Sequence, residues 1–307
     1  MARKDNIAPF ELCVLTALAI LWGAPFGLTK IGLETITPIT LVAARVTIAA
    51  VVLWTIVLVI RGRDRPRRPG LAGELFAHGC LNCVVPYTLI AWGQQTVESS
   101  LATVLNSVAP IFVWLITWGW TRHEPITPAR LLGIAAGLAG VISVVGIGGL
   151  KSFGQDLAGQ MAILLATLSL ALAVTYGRRF ADIPPEVTAA GMLAWSAVVL
   201  VPLCVLLERP LSLVPSTQSL VALLINAVFS TALGFILYFR LVRTVGPMGT
   251  SSVGYLKTAV GVLIGCALLG EVFTPPLAVG LVGIAIGVVA INRRLVWPQT
   301  ATLSRAA

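Results

Sequence analysis

Ten apolar stretches follow one another along this chain, at roughly 11–33, 38–60, 71–94, 99–121, 130–148, 156–177, 185–207, 219–242, 247–270 and 275–293. Each is bounded by proline, glycine or charge, and each is about the 20 residues that a helix needs to cross the hydrocarbon of a bilayer. They consume most of the 307 residues and leave only termini and short connectors. No separate soluble domain fits between them. The first stretch is of spanning length with no small-residue cleavage site behind it, so a spanning helix is expected there rather than a signal peptide. Only 11% of the residues are charged and 57% are apolar, against about 25% charged in an ordinary soluble domain. So little charge cannot coat a water-soluble surface, which argues against a soluble enzyme or a nucleic-acid binder. The five cysteines (13, 80, 83, 204 and 266) all lie in apolar runs and imply neither a disulfide framework nor a zinc site.

The net charge of +9 follows an orientation pattern. With the N-terminus in the cytoplasm, alternate connectors place 16 of the 21 Lys and Arg on the cytoplasmic side, including Arg61, Arg63, Arg65, Arg67 and Arg68. The opposite side holds three, Lys30, Lys151 and Arg209, while Arg45 and Lys257 fall inside runs. Such asymmetry sets topology, and it predicts an even number of spans with both termini inside. The Arg61–Arg68 cluster needs no partner as an orientation signal, although basic clusters of this kind also bind lipid headgroups.

A shift of 147 residues superposes Pro38 on Pro185, Thr103 on Thr250, Glu124 on Glu271, Thr127 on Thr274 and Pro128 on Pro275. The same register aligns Gly133 with Gly280 and Gly140 with Gly287. Single matches are weak in so apolar a chain, but their common register carries weight. Five runs per half is an odd number, so the second half enters the membrane from the opposite side. The expectation is an all-α integral membrane protein of ten transmembrane helices in two inverted five-helix repeats, 1–149 and 150–307. Glu124 then faces the cytoplasm and Glu271 the exterior. Inverted repeats are typical of transporters that alternate access around a midplane site.

Several residues resemble the EamA-type drug/metabolite transporter superfamily. Trp22-Gly23-Ala24-Pro25-Phe26 looks like its first-span element, and Pro38 followed by Arg45 like its second. Ala109-Pro110 with Glu124, and Leu269-Gly270-Glu271, resemble its paired signatures. The resemblance covers nearly the whole chain, and within the superfamily the sequence is most similar to a bacterial YddG-type exporter of aromatic and apolar amino acids. It implies ten spans, a bacterial inner-membrane location and outward transport. The chain departs from the pattern where the repeat would set a second proline opposite Pro110, since Lys257 stands there.

Polar side chains inside spans are costly unless paired or facing a cavity, so they mark the candidate site. Lys257 heads them, on a helical stripe with Thr250, Gly254, Gly261 and Gly265. It either faces a cavity and receives a substrate carboxylate, or is satisfied by carbonyls of a broken helix or by snorkelling. Arg45, whose counterpart is common across the superfamily, is expected to cap a helix end or pair with an acid. His78 and Asn82 stand at i, i+4, with Pro86 on nearly the same face and then Tyr87. Thr103, Asn106, Ser107, Pro110 and Trp114 share a face in the fourth run, and Ser251, Tyr255 and Thr258 answer them in the ninth. Trp22, Trp92, Tyr87 and Tyr255 are candidate aromatic walls, whereas Trp114, Trp118 and Trp120 read largely as interface belt. Substrate contact is therefore expected from Trp22, His78, Asn82, Tyr87, Asn106, Ser251, Tyr255 and Lys257, with hinges at Pro25, Pro86 and Pro110. G-x-x-x-G pairs allow close helix contact but leave monomer and homodimer both open.

Absent patterns also discriminate. There is no phosphate-binding ATPase loop and no zinc-protease motif, and the two histidines are far apart. An enzyme is not expected, nor a cofactor, a metal or a nucleic-acid partner; the partners are a small-molecule substrate and lipid. No carboxylate lies deep in a run, which disfavours the main alternative, a proton-coupled exporter of cationic drugs. Lys257 shifts the expectation toward zwitterionic or anionic cargo. His78 is the candidate proton carrier if transport is proton-coupled.

Overall fold

Inside a bilayer each backbone N–H and C=O must find its partner within the protein, which leaves helices or closed barrels. The computed structural model describes residues 9–62, 68–116, 155–244 and 253–291, with isolated positions between 119 and 139. Every regular element among the described residues is helical. The first half contains α1 (Pro9–Gly23), α2 (Pro25–Gly32), α3 (Pro38–Arg61), α4 (Leu71–Gly79), α5 (Val85–Gly93), α6 (Ser99–Asn106) and α7 (Ala109–Ile116). The second contains α8 (Gln155–Gly177), α9 (Pro185–Glu208), α10 (Thr217–Ile225), α11 (Gly234–Thr244), α12 (Val253–Leu268) and α13 (Pro275–Ile291).

Alone or end to end, these make seven stretches long and apolar enough to span: Phe10–Gly32, Pro38–Ile60, Leu71–Gly93, Ser99–Ile116, Leu157–Phe180, Pro185–Glu208 and Thr217–Tyr238. They coincide with seven of the ten runs. The ninth is represented by the shorter apolar Leu256–Leu268 and the tenth by α13. Glu124, Thr250, Ser251 and all but isolated positions of the fifth run lie outside the described residues. Seven spanning helices are thus described where ten were expected.

Helix starts follow local chemistry. Proline opens α2, α3, α9 and α13, where its missing N–H costs nothing. Two starts are completed from the other half of the chain. Glu208, the last residue of α9, accepts from Ile39 N (3.0 Å), Thr40 N (2.7 Å) and Thr40 Oγ1 (2.9 Å) at the start of α3. Glu271, just beyond α12, accepts from Ser99 N (2.6 Å) and Ser100 N (2.8 Å) at the start of α6. A carboxylate at a helix N-terminus satisfies orphan donors and opposes the helix dipole. Gly270 makes the second contact possible. Its φ of +66° closes the helix end, with Glu271 N bonding back to Gly265 O at 3.2 Å.

Packing interleaves the halves. α3 lies along α9, α5 along α8, and α12 against both α1 and α6. One core gathers Val46, Leu53, Val57, Leu193 and Leu200 between α3 and α9. Another gathers Leu105, Ile111 and Ile163. Trp114 belongs to this second core at 7% exposure, so it is an interior residue and not interface belt. Gly261 lets α12 approach α6 so closely that a methyl group there would stand 2.5 Å from Thr103. The outward surface is apolar, with Val59, Leu206 and Leu263 each more than 60% exposed, as suits a chain in contact with lipid.

Two outcomes follow for stability in detergent. Burial raises the cost of charging Glu271, but the hydrogen bonds from Ser100 and Ser99 outweigh it and hold the carboxyl below its ordinary value. A depressed carboxylate stabilises the fold above its unfolded pKa, about 4.3, and that contribution is lost as pH falls through the folded value. Tm should therefore drop on acidification below about pH 4, and the drop should shrink in Glu271→Gln. Separately, Gly261→Leu should lower stability by about 1–3 kcal/mol through overpacking. Melts monitored by tryptophan fluorescence test both.

Candidate functional site

Three irregularities interrupt the spans where polar side chains gather. The first divides α6 from α7 at Ser107 and Val108. Pro110 has no N–H to offer the carbonyl of Asn106, so the helix cannot run straight through. Asn106 ends α6 at this break, 3% exposed. Its Oδ1 accepts from Lys257 Nζ at 3.3 Å, and its Nδ2 donates to Thr167 Oγ1 at 3.3 Å. Thr167 is itself anchored on Ile163 O at 2.8 Å. This chain joins α12, α6 and α8, and so both halves. Lys257 thus meets a side-chain amide beside a broken helix, on the face that Gly261 opens toward α6.

The second irregularity is a π-helical segment, Cys80–Val84, between α4 and α5. Pro86 follows it and lacks the N–H that this winding would direct to Leu81 O. Ser169 supplies that donor from α8 at 2.8 Å. The third is a π-helical segment at Asn226–Leu233, between α10 and α11. The 147-residue shift carries positions 80–84 onto 227–231, inside it. Thr231 Oγ1 donates to Asn226 O (2.9 Å) and accepts from Arg45 Nε (2.9 Å). π-bulges concentrate at functional sites in proteins generally.

Arg45 is 9% exposed, with its guanidinium carbon 4.4 Å from the centre of the Tyr87 ring. The expectation that it caps a helix end or pairs with an acid is corrected. Among the described residues its partners are a hydroxyl and an aromatic face. Arg45, buried, and Lys257, partly buried, together give each half one cation within a helix that reaches a neutral acceptor on the other half.

The other sequence candidates divide. Trp22 packs against Tyr238 (5.1 Å between ring centres) and Phe235 (6.1 Å), tying α1 to α11. His78 lies among Phe180 (5.2 Å) and Tyr176 (6.2 Å), its Nδ1 buried without a partner among the described residues. Asn82 donates to the Met192 sulfur at 3.3 Å. His78 therefore addresses the end of α8 and Asn82 addresses α9, so the shared face expected from i, i+4 spacing is not formed. The intervening π winding rotates one against the other. Trp92 is 48% exposed and walls no site. Helix breaks adjoin both Pro25 and Pro110, and a π segment precedes Pro86. Tyr255 lies on α12, but its side chain, like all of Ser251, is outside the described residues. All five cysteines are free, including the accidental pair Cys80 and Cys83. No group of metal-binding side chains occurs among the described residues.

Thr167, Thr231 and Asn226 were not singled out by sequence reasoning. The available signal was hydroxyl or amide in an otherwise apolar run. A fourth cluster seals the Glu271 end: Lys30 Nζ donates to Gln94 O (2.7 Å) and Val97 O (3.1 Å), while Gln94 Nε2 donates to Phe26 O (2.9 Å). Nearby, Asn226 Nδ2 reaches Thr29 Oγ1 at 3.2 Å and Ser219 Oγ reaches Ile31 O at 2.9 Å.

Comparison with known proteins places these features in a family. The model of the EamA-like transporter family matches the chain twice, over residues 9–146 and 157–293. An uncharacterised inner membrane transporter of Escherichia coli, YedA, is 29% identical over 288 residues, covering 92% of this chain and 90% of its own. A probable terminal-alkyne amino-acid exporter of Streptantibioticus cattleyicolor is 28% identical over 291 residues, 91% of this chain and 92% of its own. An S-adenosylmethionine/S-adenosylhomocysteine transporter of Chlamydia trachomatis is 25% identical over 304 residues, 92% of this chain and 87% of its own. A solved crystal structure superposes with a TM-score of 0.63 at 22% identity, covering 92% of this chain and 97% of that one, which bears on the fold alone.

Because Arg45 is buried on neutral partners, its two contacts should be unequal. Thr231→Val removes an acceptor from a buried cation and should cost about 1–3 kcal/mol. Tyr87→Phe keeps the ring face and should cost less than half as much. Denaturation of the two purified variants under identical conditions compares them.

Proposed function

The chain belongs to the EamA-like transporter family and is a multi-pass membrane transporter, and from that premise we propose that it exports small metabolites, aromatic or apolar amino acids foremost, by alternating access between two inverted halves. The observation that carries the reading is the hydrogen bond from Lys257 to Asn106 at the break in the first half. A substrate carboxylate is a stronger acceptor than a neutral amide, since hydrogen bonds to ionised groups are about twice as strong as neutral ones. Lys257 exchanges one for the other as substrate arrives. Asn106 is then released to hydrogen-bond the substrate's polar end. Ser251 and Tyr255 remain proposed contacts from the ninth run, and Trp22 and Tyr87 proposed apolar walls. His78 and Asn82 stand in this reading as flanking positions nearer the arginine-rich end.

Charge supports the cargo class. Each described helix carboxylate stands within about a turn of an end of its helix: Glu11, Glu74, Asp156, Glu186 and Glu208. A cationic drug would find no deep counter-ion among the described residues, whereas Lys257 and Arg45 favour a molecule that brings a carboxylate. One relative is named as a probable exporter of a terminal-alkyne amino acid, which agrees with amino-acid cargo. The Lys and Arg asymmetry supports a reading in which both termini lie in the cytoplasm of a bacterial inner-membrane protein and the Glu271 end faces outward.

Counterflow in proteoliposomes, with a panel of radiolabelled amino acids and with or without a pH gradient, tests the proposal. Aromatic and apolar amino acids should accumulate. Lys257→Ala should lower uptake about tenfold, the worth of roughly 1.4 kcal/mol, and Lys257→Arg should retain part of it. Failure of every amino acid to accumulate in wild-type vesicles would sink the assignment.

A further inference from the structure

A second recess lies away from Lys257. A groove of about 730 Å³ lies where α3, α4 and α9 meet, lined by Trp54, Leu71, Leu75, Val187, Trp195 and Val198, with Arg68 at one end. From Val187 to Val198 the wall follows α9 for about 16 Å at 1.5 Å per residue. Val198 is 59% exposed, so in a bilayer the groove opens sideways onto lipid chains rather than onto water.

The Arg68 end is polar and specific in its charge. Arg68 Nη1 donates to Asp182 Oδ1 (3.1 Å), Asp182 Oδ2 (3.2 Å) and Arg179 O (3.3 Å), and Nη2 bonds the Glu74 carboxylate. One cation between two carboxylates leaves a net charge of −1. The Arg68 and Glu74 side chains remain about 30% exposed and Asp182 62%. The pocket mouth thus offers a guanidinium for a phosphate oxygen and, beside it, two carboxylates that share this one cation in the contacts among the described residues, with Arg178 and Arg179 on the adjoining turn.

We propose that this groove is a binding site for a glycerophospholipid with a primary ammonium headgroup, phosphatidylethanolamine. Its acyl chain lies along the apolar wall of α9, its phosphate meets Arg68, and its ammonium donates to Glu74 and Asp182. An ammonium with three N–H donors fits two carboxylates. A choline headgroup has the charge but no donors, and a glycerol headgroup leaves the lipid anionic against the two carboxylates. The arginines at 61, 63, 65 and 67 favour the opposite preference, for anionic lipid, by general electrostatics. The contacts at Arg68 oppose that preference, because the ammonium meets Glu74 and Asp182 directly, on carboxylate lone pairs that Arg68 does not use.

Native mass spectrometry of the full chain, incubated in detergent with phosphatidylethanolamine, phosphatidylcholine or phosphatidylglycerol of identical acyl chains, tests the site. Wild type should retain the ethanolamine lipid about threefold over each of the others, the worth of one partly screened ion pair. Glu74→Gln with Asp182→Asn should abolish that preference while some lipid is still retained. If the double variant does not elute as a folded species, Asp182→Asn alone should still lower the preference. Ala194→Trp, which fills the groove, should reduce retention of all three lipids. Equal retention of ethanolamine and choline lipids, stronger retention of the glycerol lipid, a preference that survives loss of the carboxylates, or retention unmoved by Ala194→Trp would each overturn the proposal.

Discussion

The demand that no backbone polar group be left unpaired in hydrocarbon governs this molecule more than any single contact. A straight helix meets it automatically. A helix that is broken or overwound does not, and in both π segments a side-chain hydroxyl completes it. Ser169 donates to Leu81 O where Pro86 has no N–H, and Thr231 donates to Asn226 O within the second π segment. Glu208 and Glu271 satisfy the first N–H groups of α3 and α6. Several polar residues of the spans thus serve places where the backbone departs from regular geometry, and Arg45 and Asn106 each find a partner or a position at such a place.

Much of this was legible in the sequence. The boundaries of seven spans could be read because a bilayer imposes one length and one polarity on every crossing. Leu269-Gly270-Glu271 was legible as a boundary signal, and the structure gives it a physical reason. Gly270 supplies the positive φ that turns Glu271 toward Ser99 and Ser100. Lys257 was legible as an anomaly because a cation inside an apolar run is costly unless it is paired or faces a cavity. Its partnership with Asn106 lay in a matched pair of polar faces but could not be fixed by spacing alone.

What sequence reasoning missed shares one cause: it assumed uniform helical winding. His78 and Asn82 fall on one face at 3.6 residues per turn. A π turn between them changes the phase, so one packs on Tyr176 and Phe180 and the other on Met192. Arg45 was expected to cap a helix end or to pair with an acid, as buried charge commonly does. A hydroxyl already oriented by a π-segment carbonyl, with an aromatic face above it, takes the acid's place. Neither arrangement leaves a trace in hydropathy, since serine, threonine and tyrosine in apolar runs look alike whether they complete a backbone or fill space.

The two cations within the helices are arranged reciprocally. Arg45 reaches from the first half to Thr231 in the second, and Lys257 from the second half to Asn106 in the first. Ion pairs in those places would hold the halves together strongly in a medium of low dielectric. Neutral acceptors hold them by hydrogen bonds that average about 0.6 kcal/mol between membrane helices. For halves that rock against one another as proposed, that difference decides the matter. A charge on a neutral partner can be surrendered to an arriving carboxylate, whereas a charge on a fixed carboxylate would have to be extracted from it. Acids are found instead at the helix ends, where Glu208 and Glu271 hold backbone N–H groups. Among the described residues, the strong charge-assisted contacts thus stand at the rims and the exchangeable ones at the centre, which is the distribution a transporter needs if its core is to change partners while its helices stay intact.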